Sequence, residues 1–164
     1  MPSSPADVRA QWTRSNPGLD TSPMELVALL KRATGLLDRA VEPLYEGAPL
    51  TAPEVDMLIP LRHATDPVIA RRLAANLGLS RAGVSKTLAK LEKRGFIART
   101  PNPADRRAAL ITITEAGARA VDDLFPRQLA AEVALLAGLG DDREWVLKAL
   151  ARLVESMEGG QYRD

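Results

Sequence analysis

Within Leu79–Gly95, LSRAGVSKTLAKLEKRG, lysines recur at positions 86, 90 and 93, with Arg81 ahead of them and the hydroxyls of Ser85 and Thr87 alongside. At about 100° per residue, Val84, Leu88 and Leu91 fall on one face of a helix, and Ala82, Lys86, Ala89, Lys90 and Lys93 on the other. Ammonium groups attract a polyanion, and the small residues Ala82, Gly83 and Ala89 let the backbone approach a grooved partner closely. Hydroxyls can bond either to phosphate or to a base edge. An ordinary solvated helix mixes both signs of charge, whereas Glu92 is the only acid here.

A second basic feature follows. Phe96–Thr100 and Leu110–Thr114 are rich in β-branched residues and roughly alternating, and the turn-rich PNPADRRAA between them carries Asp105, Arg106 and Arg107. This pattern predicts a β-hairpin with a basic tip. The charge distribution agrees. Net charge is only +1, yet residues 71–107 hold ten of the 22 Lys/Arg and two of the 21 Asp/Glu, so a basic centre lies between acidic arms.

These groups need positioning elements. Ser80 is placed to cap the lysine helix. The preceding helix, expected to open at Asp66-Pro67 with Ile69, Leu73 and Leu77 inward, stops at Gly78. Two helices joined by so short a turn form a helix-turn-helix, and the hairpin makes it winged. In such a unit the lysine helix enters the major groove and the hairpin reaches toward the minor groove. Thr51-Ala52-Pro53-Glu54 opens a further helix, which Pro60 shortens or bends. Upstream, Ser22-Pro23-Met24-Glu25 reads as a capped start for a helix with a broad apolar stripe, Leu26 to Leu44, that Pro43 kinks or ends. Downstream, Glu115 to about Leu136 and a last helix carrying Val146, Leu150, Leu153, Val154 and Met157 supply more stripe, with Pro126 a potential bend.

The expected fold is mainly α with a small β-wing: a winged helix-turn-helix flanked by N- and C-terminal dimerisation helices. The chain divides into an N-terminal extension read as an extended or partly ordered lead-in (1–20), an N-terminal dimerisation helix (21–48), the DNA-binding lobe (50–114), C-terminal dimerisation helices (115–158) and a tail (159–164). Arg81 and Lys86 are expected to meet bases or phosphates, with Ala82, Gly83, Ser85 and Thr87 beside them. Lys90 and Lys93 are expected on phosphates, as is Arg106, while Arg71 and Arg72 either touch the flanking strand or face solvent. One winged unit offers too few contacts for selective binding, so two-fold pairing through the surplus stripes is expected. Trp12 and Trp145 are assigned to that dimer core.

Other classes of function are disfavoured. There is no cysteine and one histidine, His63, with no metalloprotease, nucleophile-elbow or phosphate-loop motif, so neither catalysis nor a metal or other cofactor is expected. No secretory signal or membrane-length apolar run is evident, which fits the cytoplasm. A surface or hinge position is the expectation for His63. The alternative to DNA binding is a winged-helix module for protein contact, but such modules usually lack a basic recognition face and wing tip.

From Leu50 to Gly117 the chain resembles the MarR family of bacterial transcriptional regulators, through LTAPE, NLGLSRAGVSKTLAKLEKRGFI and NPADRRAALITITEAG. Gly83 departs from the pattern, standing where a polar residue is common. The resemblance implies that Arg107 enters the minor groove, oriented by Asp105. It further implies a homodimer reading a pseudo-palindromic operator, in most cases as a repressor. It implies as well a small-molecule effector, often anionic or aromatic, bound between the dimerisation helices and the reading lobes.

Overall fold

The computed structural model describes residues 4–105 and 107–160. Its elements run α1 (Pro5–Ser15), α2 (Pro23–Tyr45), α3 (Ala52–Arg62), β1 (Val68–Ile69), α4 (Ala70–Leu77), α5 (Arg81–Lys93), β2 (Ile97–Pro101), β3 (Ala109–Ile113), α6 (Glu115–Leu136) and α7 (Arg143–Gly160). A 3-10 turn, Ala137–Asp142, joins the last two helices.

The core lies in the winged lobe. Val84, Leu88 and Leu91 of α5 are fully buried against Val55 and Leu58 of α3, Leu73 of α4, Ile97 and Ile111 of the sheet, and Val121 and Leu124 of α6. Each such side chain contributes about 1.5–3 kcal/mol by leaving water, so the buried stripe of α5 anchors its opposite face outward. The turn between α4 and α5 is equally determined. Gly78 adopts φ +62°, and Leu79 N–H donates to the Ala74 carbonyl at 2.9 Å, closing α4 in a Schellman motif. Ser80 then starts α5.

Three expectations need correction. Pro5–Ser15, in the lead-in expected to be extended or partly ordered, is a helix, opened by a reciprocal box in which Asp7 N–H donates to Ser4 Oγ and Ser4 N–H to Asp7 Oδ2. Proline is compatible with the first helical turn, where its missing N–H is unused, so proline content alone did not forbid α1. It is tied to the segment leading into α2 through a 2.6 Å hydrogen bond between the Thr13 and Thr21 hydroxyls. The helix expected from Asp66-Pro67 begins instead at Ala70, because Val68 and Ile69 pair antiparallel with Ile111 and Leu110. The wing is thus part of a three-stranded sheet, in the order β1-β3-β2. Finally, α2 starts at Pro23 without a side-chain cap from Ser22, whose own N–H donates to Asp20, and Glu25 pairs with Arg9 at 3.6 Å.

Pro43, Pro60 and Pro126 stand inside α2, α3 and α6, which continue to Tyr45, Arg62 and Leu136. Away from the lobe, apolar side chains lie open: Leu29 and Leu36 of α2, Val133 of α6, and Leu150, Val154 and Met157 of α7. Trp12 and Trp145 are 49% and 70% exposed. Among the described residues no helix is long and apolar enough to cross a membrane.

Candidate nucleic-acid interface

Helix α5 presents Arg81, Ala82, Gly83, Ser85, Lys86, Ala89, Lys90 and Lys93 to solvent, with Thr87 half-buried at the margin. Its first turn is set by Ser80, whose Oγ accepts from Gly83 N–H at 3.1 Å. A Cβ at Gly83 would stand 3.1 Å from that oxygen, so glycine here also leaves room for the cap. Replacing Ser80 by alanine is expected to cost about 1 kcal/mol in urea unfolding; an unchanged midpoint would show that the cap contributes nothing.

At the wing, Asp105 Oδ1 accepts the N–H of Arg107 at 3.0 Å, and the Asp105 carbonyl accepts the N–H of Ala108 at 3.0 Å. Asn102 closes the other side of the turn through Ala104 N–H at 2.9 Å. Asp105 therefore shapes the backbone that carries Arg107 and leaves the side chain exposed. Arg106 lies outside the described residues.

Between α4, α5 and the wing is a cleft of about 370 Å³, lined in part by Arg71, Ser85, Arg99, Asp105 and Arg107. Arg99 was not singled out in the sequence. Strand alternation could have found it, because position 99 shares the face of buried Ile97 and so turns a guanidinium inward beside α5. Its Nε lies 3.1 Å from Glu92 Oε2, near enough to pair but not aligned for a hydrogen bond, and Nε and Nη2 are buried without a hydrogen-bond partner among the described residues. Among those residues none of Arg71, Arg81, Lys86, Lys90, Lys93 and Arg107 enters an ion pair. The structure therefore brings Ser85 of α5, the wing's Arg107 and the expected Arg71 around one cleft, with Arg99 added, while Arg81, Lys86, Lys90 and Lys93 do not line it. Arg72 lies apart, on a separate cleft with Thr65, Asp66 and Asn76.

Known proteins match this arrangement. The sequence pattern of the MarR family covers residues 48–108, the segment that holds α3, β1, α4, α5, β2 and the turn of the wing. The chain is 28% identical over 152 residues to the HTH-type transcriptional regulator PecS of Dickeya dadantii, covering 92% of both chains. It is 30% identical over 119 residues to the HTH-type regulator YdcH of Bacillus subtilis, covering 71% of this chain and 79% of that one. The chain belongs to the MarR family. It is accordingly a DNA-binding transcriptional regulator with the winged helix-turn-helix fold.

Among solved MarR-family folds, the repressor CouR bound to a 23-mer DNA duplex superposes with a TM-score of 0.69 at 26% identity, over 83% of this chain and 98% of that one. CouR from Rhodococcus jostii RHA1 bound to p-coumaroyl-CoA gives 0.64 at 28% identity, over 79% and 88%. The matched segment stops before β3 and α6, while the PecS likeness, over 152 residues, extends into the flanking helices.

Proposed function

We propose that this regulator acts in the bacterial cytoplasm as a homodimer. Each protomer lays α5 in a major groove of a pseudo-palindromic operator and sets its wing against the adjacent minor groove. Arg81, Ser85 and Lys86, beside Ala82 and Gly83, face base edges, while Thr87, Lys90 and Lys93 follow the backbone. Arg107 enters the minor groove, with Arg106 next to it on phosphate, and Arg71 and Arg99 cradle a phosphate. The observation that carries this reading is the exposed cationic face of α5, without ion pairs among the described residues, on a helix whose Ser85 shares a cleft with Arg71, Arg99 and the wing's Arg107. The exposed apolar rows on α2, α6 and α7 suit pairing with a second copy.

Repression with release by a small molecule follows from the likeness to CouR, a repressor described both with DNA and with an acyl-CoA. A cavity where the lobe meets α6 supports this reading as the effector's place. There Ile59, His63, Val121, Phe125 and Pro126 line a cavity of about 220 Å³. At its edge Arg62 forks onto Asp122 through Nε and Nη2, at 2.7 and 2.8 Å. Those hydrogen bonds hold the Asp122 carboxyl below the usual carboxylate range and raise Arg62. An anionic aromatic ligand would compete with Asp122 for Arg62 and change how α3 sits on α6, so it would favour one lobe orientation over another.

The test is a gel shift with DNA from upstream of the protein's own coding region, against unrelated duplex. Specific retardation is expected, with affinity falling about 10³-fold from 50 to 200 mM salt if roughly six phosphates are neutralised. Equal, weak retardation of both duplexes would reject sequence-specific reading.

A further inference from the structure

We infer that Arg94 is a positioning residue that locks the recognition helix to the corner where the dimerisation arm turns into the reading lobe, and so sets the separation of the two α5 helices; this rests on the dimeric reading above. Arg94 is the C-cap of α5 and points away from the face that carries Lys86 and Lys90 toward α3. Its Nη1 donates to Glu54 Oε1 at 2.8 Å and its Nη2 to the carbonyl of Pro49, while the guanidinium carbon stands 5.0 Å from the centre of the Phe96 ring. The other oxygen of Glu54 accepts the N–H of Thr51 at 2.9 Å, at the start of α3. One guanidinium therefore joins the end of α5, the first turn of α3, the Pro49 carbonyl and the first residue beyond α5's closing glycine.

The physical case rests on geometry and burial. Glu54 is only 7% exposed, and an unpaired carboxylate there would be costly. Burial pushes its carboxyl up, but Thr51 N–H and Arg94 hydrogen bonding and charge outweigh it and hold the group below the ordinary value. The planar fork allows Arg94 to bond the carboxylate and a carbonyl at once, which a lysine ammonium does less rigidly. Residues 46–51 are the only covalent link from α2 into the lobe on this side, and α2 carries much of the exposed apolar surface. Tilting the lobe about that link moves α5 relative to its counterpart. Arg94 opposes the tilt by bridging the link to the far end of the helix that must be aimed.

The chain has no cysteine, so Ala89→Cys on the exposed face of α5 gives one spin label per protomer in the full-length protein. The distance distribution between the two labels is measured well below the melting temperature in wild-type, Arg94→Gln and Arg94→Lys backgrounds. A narrow wild-type peak is expected, a broadened or shifted one in Arg94→Gln, and partial recovery in Arg94→Lys. On a duplex selected from random sequence by the wild-type protein, Arg94→Gln is expected to lose about tenfold of the preference for the selected half-site spacing over a spacing with one base pair inserted. A lowered melting temperature with an unchanged distance distribution and unchanged spacing preference would make Arg94 merely stabilising and overturn the inference. Absence of any dipolar coupling in the wild type would instead overturn the dimeric reading, and the inference with it.

Discussion

Arg107→Ala is expected to weaken operator binding by about a hundredfold while leaving the thermal melt unchanged. Arg107 is exposed and makes no ion pair among the described residues, so its removal costs the fold little. On DNA the same exposure becomes a contact, worth about 1–3 kcal/mol for an arginine inserted at a specific site. A two-fold dimer loses that contact twice, and two well-separated losses add. Fluorescence anisotropy of a labelled duplex measures the effect, and its salt series adds a second readout: the slope falls as two fewer counterions are released. Asp105 supplies a linked check. Asp105→Ala removes the acceptor that fixes the Arg107 N–H and is expected to reduce affinity, but much less so when Arg107 is already alanine. Equal losses in both backgrounds would detach Asp105 from Arg107, and undiminished binding by Arg107→Ala would remove the wing from the interface.

The reading lobe was legible because its signals are local. Ser80 and Gly78 bracket a turn whose backbone has few solutions, and Val84, Leu88 and Leu91 recur at the period that buries one face. Position then follows for Lys86, Lys90 and Lys93, since a helix with one face anchored has no freedom over the other. What stayed hidden depended on partners distant in sequence. Val68 and Ile69 are too short a run to announce a strand, and they become one only because β3 offers its edge. Arg94 and Glu54 are 40 residues apart; Glu54 alone reads as a capping acid at a helix start and Arg94 as an ordinary terminal charge. Arg99 acquires its place when α4, α5 and the wing close around it. The helix at Pro5–Ser15 differs: its Ser4–Asp7 box is a local signal, but the prolines and glycine around it are equally compatible with extended chain.

Gly117→Ala is expected to destabilise the protein by about 2–4 kcal/mol in urea unfolding, at the upper end of or beyond ordinary overpacking. On helix propensity alone the substitution would help by about 1 kcal/mol, so the sign depends on local space. A Cβ at Gly117 would penetrate the Phe96 carbonyl oxygen far inside van der Waals contact, and would meet Ile113 Cγ1 at 2.8 Å and the Phe96 carbonyl carbon at 3.1 Å. The isoleucine side chain can rotate away, but the carbonyl is held from both sides. Phe96 N–H donates to Leu91 at 2.9 Å, the Phe96 carbonyl accepts Thr114 N–H at 3.1 Å, and Thr114 Oγ1 donates to Gly95 at 2.7 Å. Thr114 also caps α6 through Gly117 N–H. Relief therefore requires the first turn of α6 to lift from the hairpin, opening the seam that Val121 and Leu124 seal. Because α6 connects the wing to the distal helices, DNA affinity is expected to fall along with stability. A variant that unfolds at the wild-type urea midpoint would mean that this close approach of α6 to the hairpin is not what joins reading lobe to arm.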